Sequence, residues 1–78
     1  MSNRTADIQR ILEDQDAEFR SWAEEHHTCE ARLHELTNKR EISAEEEFEE
    51  KTLKKRKLHL KDQMAERVRS YESEHAVA

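Results

Sequence analysis

Five side chains that could bind a metal ion lie close together in the sequence: His26, His27, Cys29, Glu30 and His34. His26 and Cys29 are three residues apart and Glu30 and His34 are four apart, so in a helix each pair shares one face. A second chain could complete such a pair into a four-ligand zinc site. Because the sequence has a single cysteine, we interpret His26 and Cys29 as packed residues and keep a zinc-bridged helical assembly as an alternative.

A catalytic use of the same side chains has little support. The chain contains no glycine and no proline, which excludes a Gly-rich phosphate loop, a nucleophile elbow and a dinucleotide fingerprint. Cys29 with a nearby histidine is typical of a nucleophilic pair, but a small helical chain offers no concave pocket for the reaction. We therefore expect a protein that is not an enzyme, with no cofactor and no small-molecule substrate.

The segment of residues 51–61 contains six basic residues and no acid. Consecutive helical residues point about 100° apart, so the run 54–57 does not form one patch. One flank nevertheless gathers four candidate phosphate contacts, Lys51, Lys54, Lys55 and Lys61. The net charge of −5 argues against general attraction to nucleic acid, so weak nucleic-acid binding and binding to an anionic membrane surface are alternatives only.

The elements that position these residues are helices, because the residues that most often end a helix are absent. In the first half, apolar side chains recur alternately at four- and three-residue intervals through a seam that also contains Gln15 and His26: Ile8, Leu12, Phe19, Trp22, Cys29, Leu33 and Leu36. This heptad pattern predicts one helix over about residues 5–38. Thr5 is its candidate N-cap.

A second helix is predicted over about residues 44–72. Ser43 and Glu46 have the spacing of a capping box, in which each side chain accepts a hydrogen bond from the backbone of the other. Apolar side chains then follow at helical spacing: Leu53, Leu60, Met64, Val68 and Tyr71. Residues 73–78 are expected to fray.

The junction at residues 38–43 should fold the two helices back on each other, with Asn38 as a left-handed C-cap in place of glycine. Folding here brings the acidic residues of 13–25 beside the basic segment 51–61. The predicted fold class is therefore all-α, a single antiparallel two-helix hairpin, coiled-coil-like, spanning 1–78. One continuous helix in a parallel coiled coil is the alternative. The predicted hairpin core consists of Ile8, Leu12, Phe19, Trp22, Leu33, Leu36, Leu53, Leu60, Met64 and Val68.

Phe48 and Leu58 lie off the apolar stripe of the second helix, so a lone hairpin would leave both exposed. Together with the small core, they indicate an oligomer or partner surface. We expect self-association into a four-helix bundle or a larger assembly, or binding to a helical partner protein. The expected function is a non-catalytic interaction or scaffolding module. No window approaches the roughly 18 apolar residues of a membrane span, and a single cysteine favours the cytoplasm.

The segment 42–64, ISAEEEFEEKTLKKRKLHLKDQM, resembles the YdcH-like family of small uncharacterised bacterial proteins. The matching residues of this segment are Ser43, Glu45, Glu46, Leu53, Lys54, Lys55, Lys57, Leu58, Leu60, Lys61 and Asp62. Phe19, His26, Leu33 and Leu36 also match, so the resemblance covers roughly residues 8–68. Trp22 and Cys29 depart from it, as does a junction without glycine or proline. The resemblance implies a helical hairpin and carries no established activity.

Overall fold

The computed structural model describes residues 4–75, and within this range the chain is helical with no strand. It contains three helices there: α1, Arg4–Gln15; α2, Ala17–Thr37; and α3, Ala44–Glu74. The prediction of an all-α protein is confirmed. The prediction of a two-helix hairpin is wrong, because the first predicted helix is divided at Asp16.

Asp16 divides the first half of the chain because its side chain caps α2. Its backbone is extended, with φ −115° and ψ 107°. Its Oδ1 accepts hydrogen bonds from the backbone N–H groups of Glu18 at 3.0 Å and Phe19 at 3.1 Å. These amides belong to the first turn, which has no partner within the helix. The extended backbone that allows this capping ends α1 one residue earlier.

The end of α1 is stabilised from the α2 side by Arg20. Its guanidinium donates to the backbone carbonyls of Glu13 at 2.7 Å and Asp14 at 2.8 Å. Carbonyls in the last turn of a helix have no intrahelical partner, so Arg20 supplies one. Thr5, the candidate N-cap, lies one residue inside α1, and that prediction is also wrong.

The connection between α2 and α3 is built by side chains, without any residue of positive φ in the described range. Ser43 Oγ accepts from the Glu46 N–H at 3.1 Å, and Glu46 Oε1 accepts from the Ser43 N–H at 3.0 Å. The predicted capping box is therefore confirmed. Asn38 is the C-cap of α2, but with φ −82° and ψ −7° it is right-handed, so the left-handed prediction is wrong. A connection over 38–43 is long enough to reverse direction without that strained conformation.

The helices pack so that α1 contacts both α2 and α3 at one end of the antiparallel α2–α3 pair. The centre of this end is a buried cluster of Ile8, Leu12, Phe19 and Val68, against which Trp22, Met64 and Tyr71 pack. Towards the other end, Cys29, Leu36 and Leu60 are buried. Among the predicted core residues, Trp22, Leu33, Leu53 and Met64 are only half-buried. The described part of the chain measures 54 × 25 × 18 Å.

The C-terminal boundary of α3 differs slightly from the predicted one. α3 continues to Glu74, so residues 73 and 74 of the predicted frayed tail are helical. Residues 76–78 of that tail lie outside the described residues. None of the described helices combines the length and the apolar composition needed to cross a membrane.

Candidate interaction surface

The candidate metal ligands do not converge on one point. Cys29 is buried, with 4 % of its surface exposed. The His26 ring Nδ1 lies 3.4 Å from Glu30 Oε1, while His27 and His34 are exposed. Within the described part of the chain, no group of three or more His, Cys, Asp and Glu side chains is arranged to hold a metal ion.

Part of the basic segment pairs with the acids of α2, as the charge blocks suggested. Besides the Glu18–Arg67 pair at the start of α2, three ion pairs join α2 to α3 along their length: Glu25 with Arg56, Glu30 with Lys57, and Arg32 with Glu49. The Arg32–Glu49 pair has two nitrogen–oxygen contacts, at 2.8 and 2.9 Å. Hydrogen bonds from Arg56 lower the pKa of Glu25, and those from Arg32 lower the pKa of Glu49. These pairs lie along the side of α3 that faces α2.

Arg67 joins the break between α1 and α2 to α3, and sequence reasoning did not single it out. It forms ion pairs with Asp16 and with Glu18, whose Oε1 lies 2.6 Å from Nη2. Its guanidinium carbon lies 4.9 Å from the centroid of the Trp22 ring, within cation–π distance. The Phe19 N–H chiefly, with help from Arg67, lowers the pKa of Asp16. The sequence signal for this N-cap was Asp16 itself, which directly follows the polar Gln15 in the apolar seam.

The outer side of α3, away from α2, carries a shallow groove that we call the basic face. It is lined by Phe48, Lys51, Thr52, Lys54, Lys55 and Leu58. Phe48 is 73 % exposed and Leu58 is 61 % exposed. Lys54 Nζ lies 3.4 Å from Glu50 Oε1, whereas in the described range Lys51 and Lys55 form no ion pair. The sequence-predicted partner surface and three of the candidate phosphate contacts therefore coincide.

Lys61, the remaining candidate phosphate contact, lies apart from the basic face. It lines a depression of about 450 Å³ between α1 and α3, together with Thr5, Gln9 and Met64. The structure thus brings together Lys51, Lys54 and Lys55, but not Lys61.

The outer side of α1 carries a second charged surface, which we call the acidic face. Its residues are Asp7, Arg10, Ile11, Glu13, Asp14 and Gln15. Its lining holds three carboxylates and one guanidinium, and the Arg20 guanidinium lies at its end, on the Glu13 and Asp14 carbonyls. Within residues 4–75 none of the three carboxylates forms an ion pair. Ile11 is half-buried, so this face also presents apolar surface. Helical spacing alone places Asp7, Ile11 and Asp14 on one side of a helix, but only the packing of α1 shows that this side stays uncovered.

A sequence model of the DUF465 family, described as a protein of unknown function, matches residues 19–68. No curated protein and no solved structure matches the chain. The matched segment begins in α2 and ends in α3. It therefore includes the whole basic face and leaves out α1 with its acidic face.

Proposed function

Because the chain belongs to the DUF465 family of proteins of unknown function, we propose its role from its own surfaces. It is a non-catalytic interaction module that associates with a second copy of itself through the basic face of α3. The observation that carries this proposal is the exposure of Phe48 and Leu58, at 73 % and 61 %. No other large apolar side chain in the described part of the chain is so exposed.

The two apolar side chains form one surface and not two isolated spots. They are ten residues apart on α3, which is about 15 Å along a helix. Lys51 and Lys55 line the groove between them, and the aliphatic stem of a lysine can pack against a partner while its charged end stays hydrated. Single exposed apolar residues are ordinary, but a groove of this kind is typical of a helix that docks on another helix.

The small core supports the same proposal. The buried apolar side chains of the described residues are Ile8, Leu12, Phe19, Cys29, Leu36, Leu60 and Val68. Chains below about 80 residues seldom obtain sufficient stability from one core, and oligomerisation is one of the common remedies. Burying a large apolar side chain contributes about 1.5–3 kcal/mol. Phe48 and Leu58 are the side chains best placed to add such burial.

Sedimentation equilibrium over a range of concentrations tests the proposal. We expect the wild-type chain to associate, and Phe48→Ala/Leu58→Ala to weaken association at least about thirtyfold, the equivalent of about 2 kcal/mol. The matched control is Ser70→Ala/Ser73→Ala, which truncates two exposed side chains elsewhere on α3. A wild-type chain that stays monomeric up to about 1 mM, or a control that loses as much association, contradicts the proposal.

Two other functions have distinct tests. Binding of nucleic acid through Lys51, Lys54 and Lys55 predicts oligonucleotide affinity that falls with salt; no binding at low salt excludes it. A zinc-bridged assembly needs the Cys29 thiolate at a surface, and this side chain is buried. Metal analysis with and without chelator tests it, and an unchanged mass after chelation excludes zinc.

Three finer assignments belong to the same proposal. The match of residues 42–64 supports placing the chain among the YdcH-like proteins. Pairing of exposed helix faces supports a four-helix bundle or a larger helical assembly. The single cysteine supports a cytoplasmic location.

A further inference from the structure

We infer that the basic face of one copy docks on the acidic face of α1 of the next copy, so that association is head to tail. This inference rests on the proposed self-association and names the surface that meets the basic face. The occupant is therefore a second copy of this chain, presenting Asp7, Ile11 and Asp14.

In the registers that set its apolar side chains against each other, the basic face is not complementary to itself, because no acid lines its groove. In an antiparallel pair of α3 helices that sets Phe48 against Leu58, Lys51 of one copy comes opposite Lys55 of the other. In a parallel pair, each lysine comes opposite its own counterpart. The segment 51–61 contains no acid that could separate these charges. A two-fold interface requires a self-complementary surface, and like charges set opposite each other weaken association.

The acidic face has the charge and the spacing that the basic face lacks. Asp7, Ile11 and Asp14 follow at intervals of four and three residues, as do Lys51, Lys55 and Leu58. The acidic face thus offers an apolar side chain between carboxylates, and the basic face offers an apolar side chain beside lysines. Matching apolar seams flanked by opposite charges set the partner choice of packed helices.

Four of the acids that lie nearest to the basic residues of α3 are already used within the chain. Asp16, Glu18, Glu25 and Glu30, on or at the start of α2, pair with arginine or lysine of α3. The carboxylates of the acidic face form no such pair among the described residues. They combine unpaired charge with an apolar neighbour, Ile11, on one side of α1.

The two faces of one copy cannot meet each other. The start of α1 lies beside the end of α3, where Arg4 Nε is 3.8 Å from Glu72 Oε2. The basic face ends at Leu58, about 21 Å away along α3. A head-to-tail pair therefore keeps one free basic face on one copy and one free acidic face on the other, and further copies can add. Such head-to-tail contacts produce a ring if they close and a filament if they do not.

Charge-reversed variants test the inference. Lys51→Glu/Lys55→Glu reverses the basic face, and Asp7→Lys/Asp14→Lys reverses the acidic face. We expect each variant alone to associate at least tenfold more weakly than wild type, because its two faces then have the same sign. We expect the mixture of the two variants to regain association, because the acidic face of the first then meets the basic face of the second. Sedimentation at low salt measures all three samples, and circular dichroism checks that helicity is kept.

The control is Glu41→Lys/Glu74→Lys, which changes the net charge of −5 by the same amount as the acidic-face variant. Both of its positions are exposed and outside the two faces. We expect it to associate like wild type; a tenfold loss in this control overturns the inference. Asp7→Lys/Asp14→Lys that associates like wild type also overturns it, as does a mixture that stays monomeric.

These outcomes are separate from failure of the proposed function. If Phe48→Ala/Leu58→Ala abolishes association while Asp7→Lys/Asp14→Lys does not, the basic face is an interface and the head-to-tail inference is wrong. Should the lysine variant lose helicity, Asp7→Asn/Asp14→Asn removes the charges with little change of shape. We expect severalfold weaker association from it, and unchanged association overturns the inference.

Discussion

Replacing Asp16 by alanine tests whether one side chain makes the break between α1 and α2. The substitution removes the acceptor of the Glu18 and Phe19 amides, at 3.0 and 3.1 Å, and the ion pair with Arg67. Loss of an N-cap carboxylate costs about 0.5–2 kcal/mol, and loss of a partly exposed ion pair costs about 0.2–1 kcal/mol. Together they predict that Asp16→Ala lowers the free energy of unfolding by about 1–3 kcal/mol.

The variant should also change the fold locally. Without the cap, a continuous helix through position 16 competes with the break, and a straight helix would withdraw Ile8 and Leu12 from their cluster with Val68. We expect helicity to be retained while the amides of α1 exchange hydrogen faster, because α1 then lacks tertiary contacts. Asp16→Asn is the matched variant, since its side-chain oxygen can still cap α2. It should lose about 1 kcal/mol at most, through the ion pair alone.

Urea unfolding followed by circular dichroism measures both variants. The measurements belong on the Phe48→Ala/Leu58→Ala background and at one protein concentration, because association adds concentration-dependent stability. For a chain of this size, 1 kcal/mol corresponds to about 4–8 °C in the melting temperature. Wild-type stability and wild-type exchange in Asp16→Ala would refute the reasoning. Equal losses in the alanine and asparagine variants would show that the charge, and not the cap, stabilises the break.

Two further predictions concern the core and the response to acid. Leu60→Ala should lower the free energy of unfolding by about 2–5 kcal/mol, because Leu60 is fully buried. Leu58→Ala should change the stability of the monomer by about 0.5 kcal/mol or less. Equal losses of stability, measured by urea unfolding at low protein concentration, would contradict this assignment of buried and exposed sides. Hydrogen bonds from Lys39 chiefly, and then from the Ser43 N–H, lower the pKa of Glu46 from 4.5 to about 2. Since the folded-state pKa lies below the unfolded value, this stabilisation is present above about pH 4.5 and is lost as the pH falls towards 2. Glu46→Gln should therefore flatten the acid limb of stability against pH, and a limb of unchanged slope would refute the role of Glu46.

The parts of the fold that the sequence predicted are those that neighbouring residues decide. The capping box was predictable because Ser43 and Glu46 are three residues apart and the side chain of each bonds to the backbone of the other. The start of α3 at Ala44 follows directly from it. The exposure of Phe48 and Leu58 was predictable from their angular position relative to the buried stripe of the same helix. No knowledge of the other helices was needed for these predictions.

The break at Asp16 was missed because the heptad spacing continues across it. Leu12, Gln15 and Phe19 keep intervals of three and four residues, so periodicity alone cannot distinguish one helix from two. The sequence did contain a signal, since Asp16 can cap α2 and the polar Gln15 interrupts the apolar seam. Gln15 is exposed in the structure. The error at Asn38 is of another kind. The position of the C-cap was predicted correctly, but its backbone conformation is right-handed and not left-handed.

The candidate surfaces divide in the same way. The basic face lies on one helix, so its members were predicted from spacing along α3. The depression that Lys61 lines depends on where α1 lies, and the exposure of the acidic face depends on how α1 packs as a separate helix. Neither could be obtained from a pattern that treats the first half of the chain as one rod.

The sequence by itself therefore determined that the chain is helical, where α3 begins and which side of α3 stays uncovered. These follow from the absence of glycine and proline, from one local cap and from one helix's periodicity. Only the tertiary structure decided that the chain turns at Asp16 and that α1 packs on Val68. This packing also decides which side of α1 presents its unpaired carboxylates. The physical reason is that a capped break and a continuous helix satisfy the local backbone about equally well. The choice between them depends on contacts between side chains about fifty residues apart in sequence, such as Asp16 with Arg67.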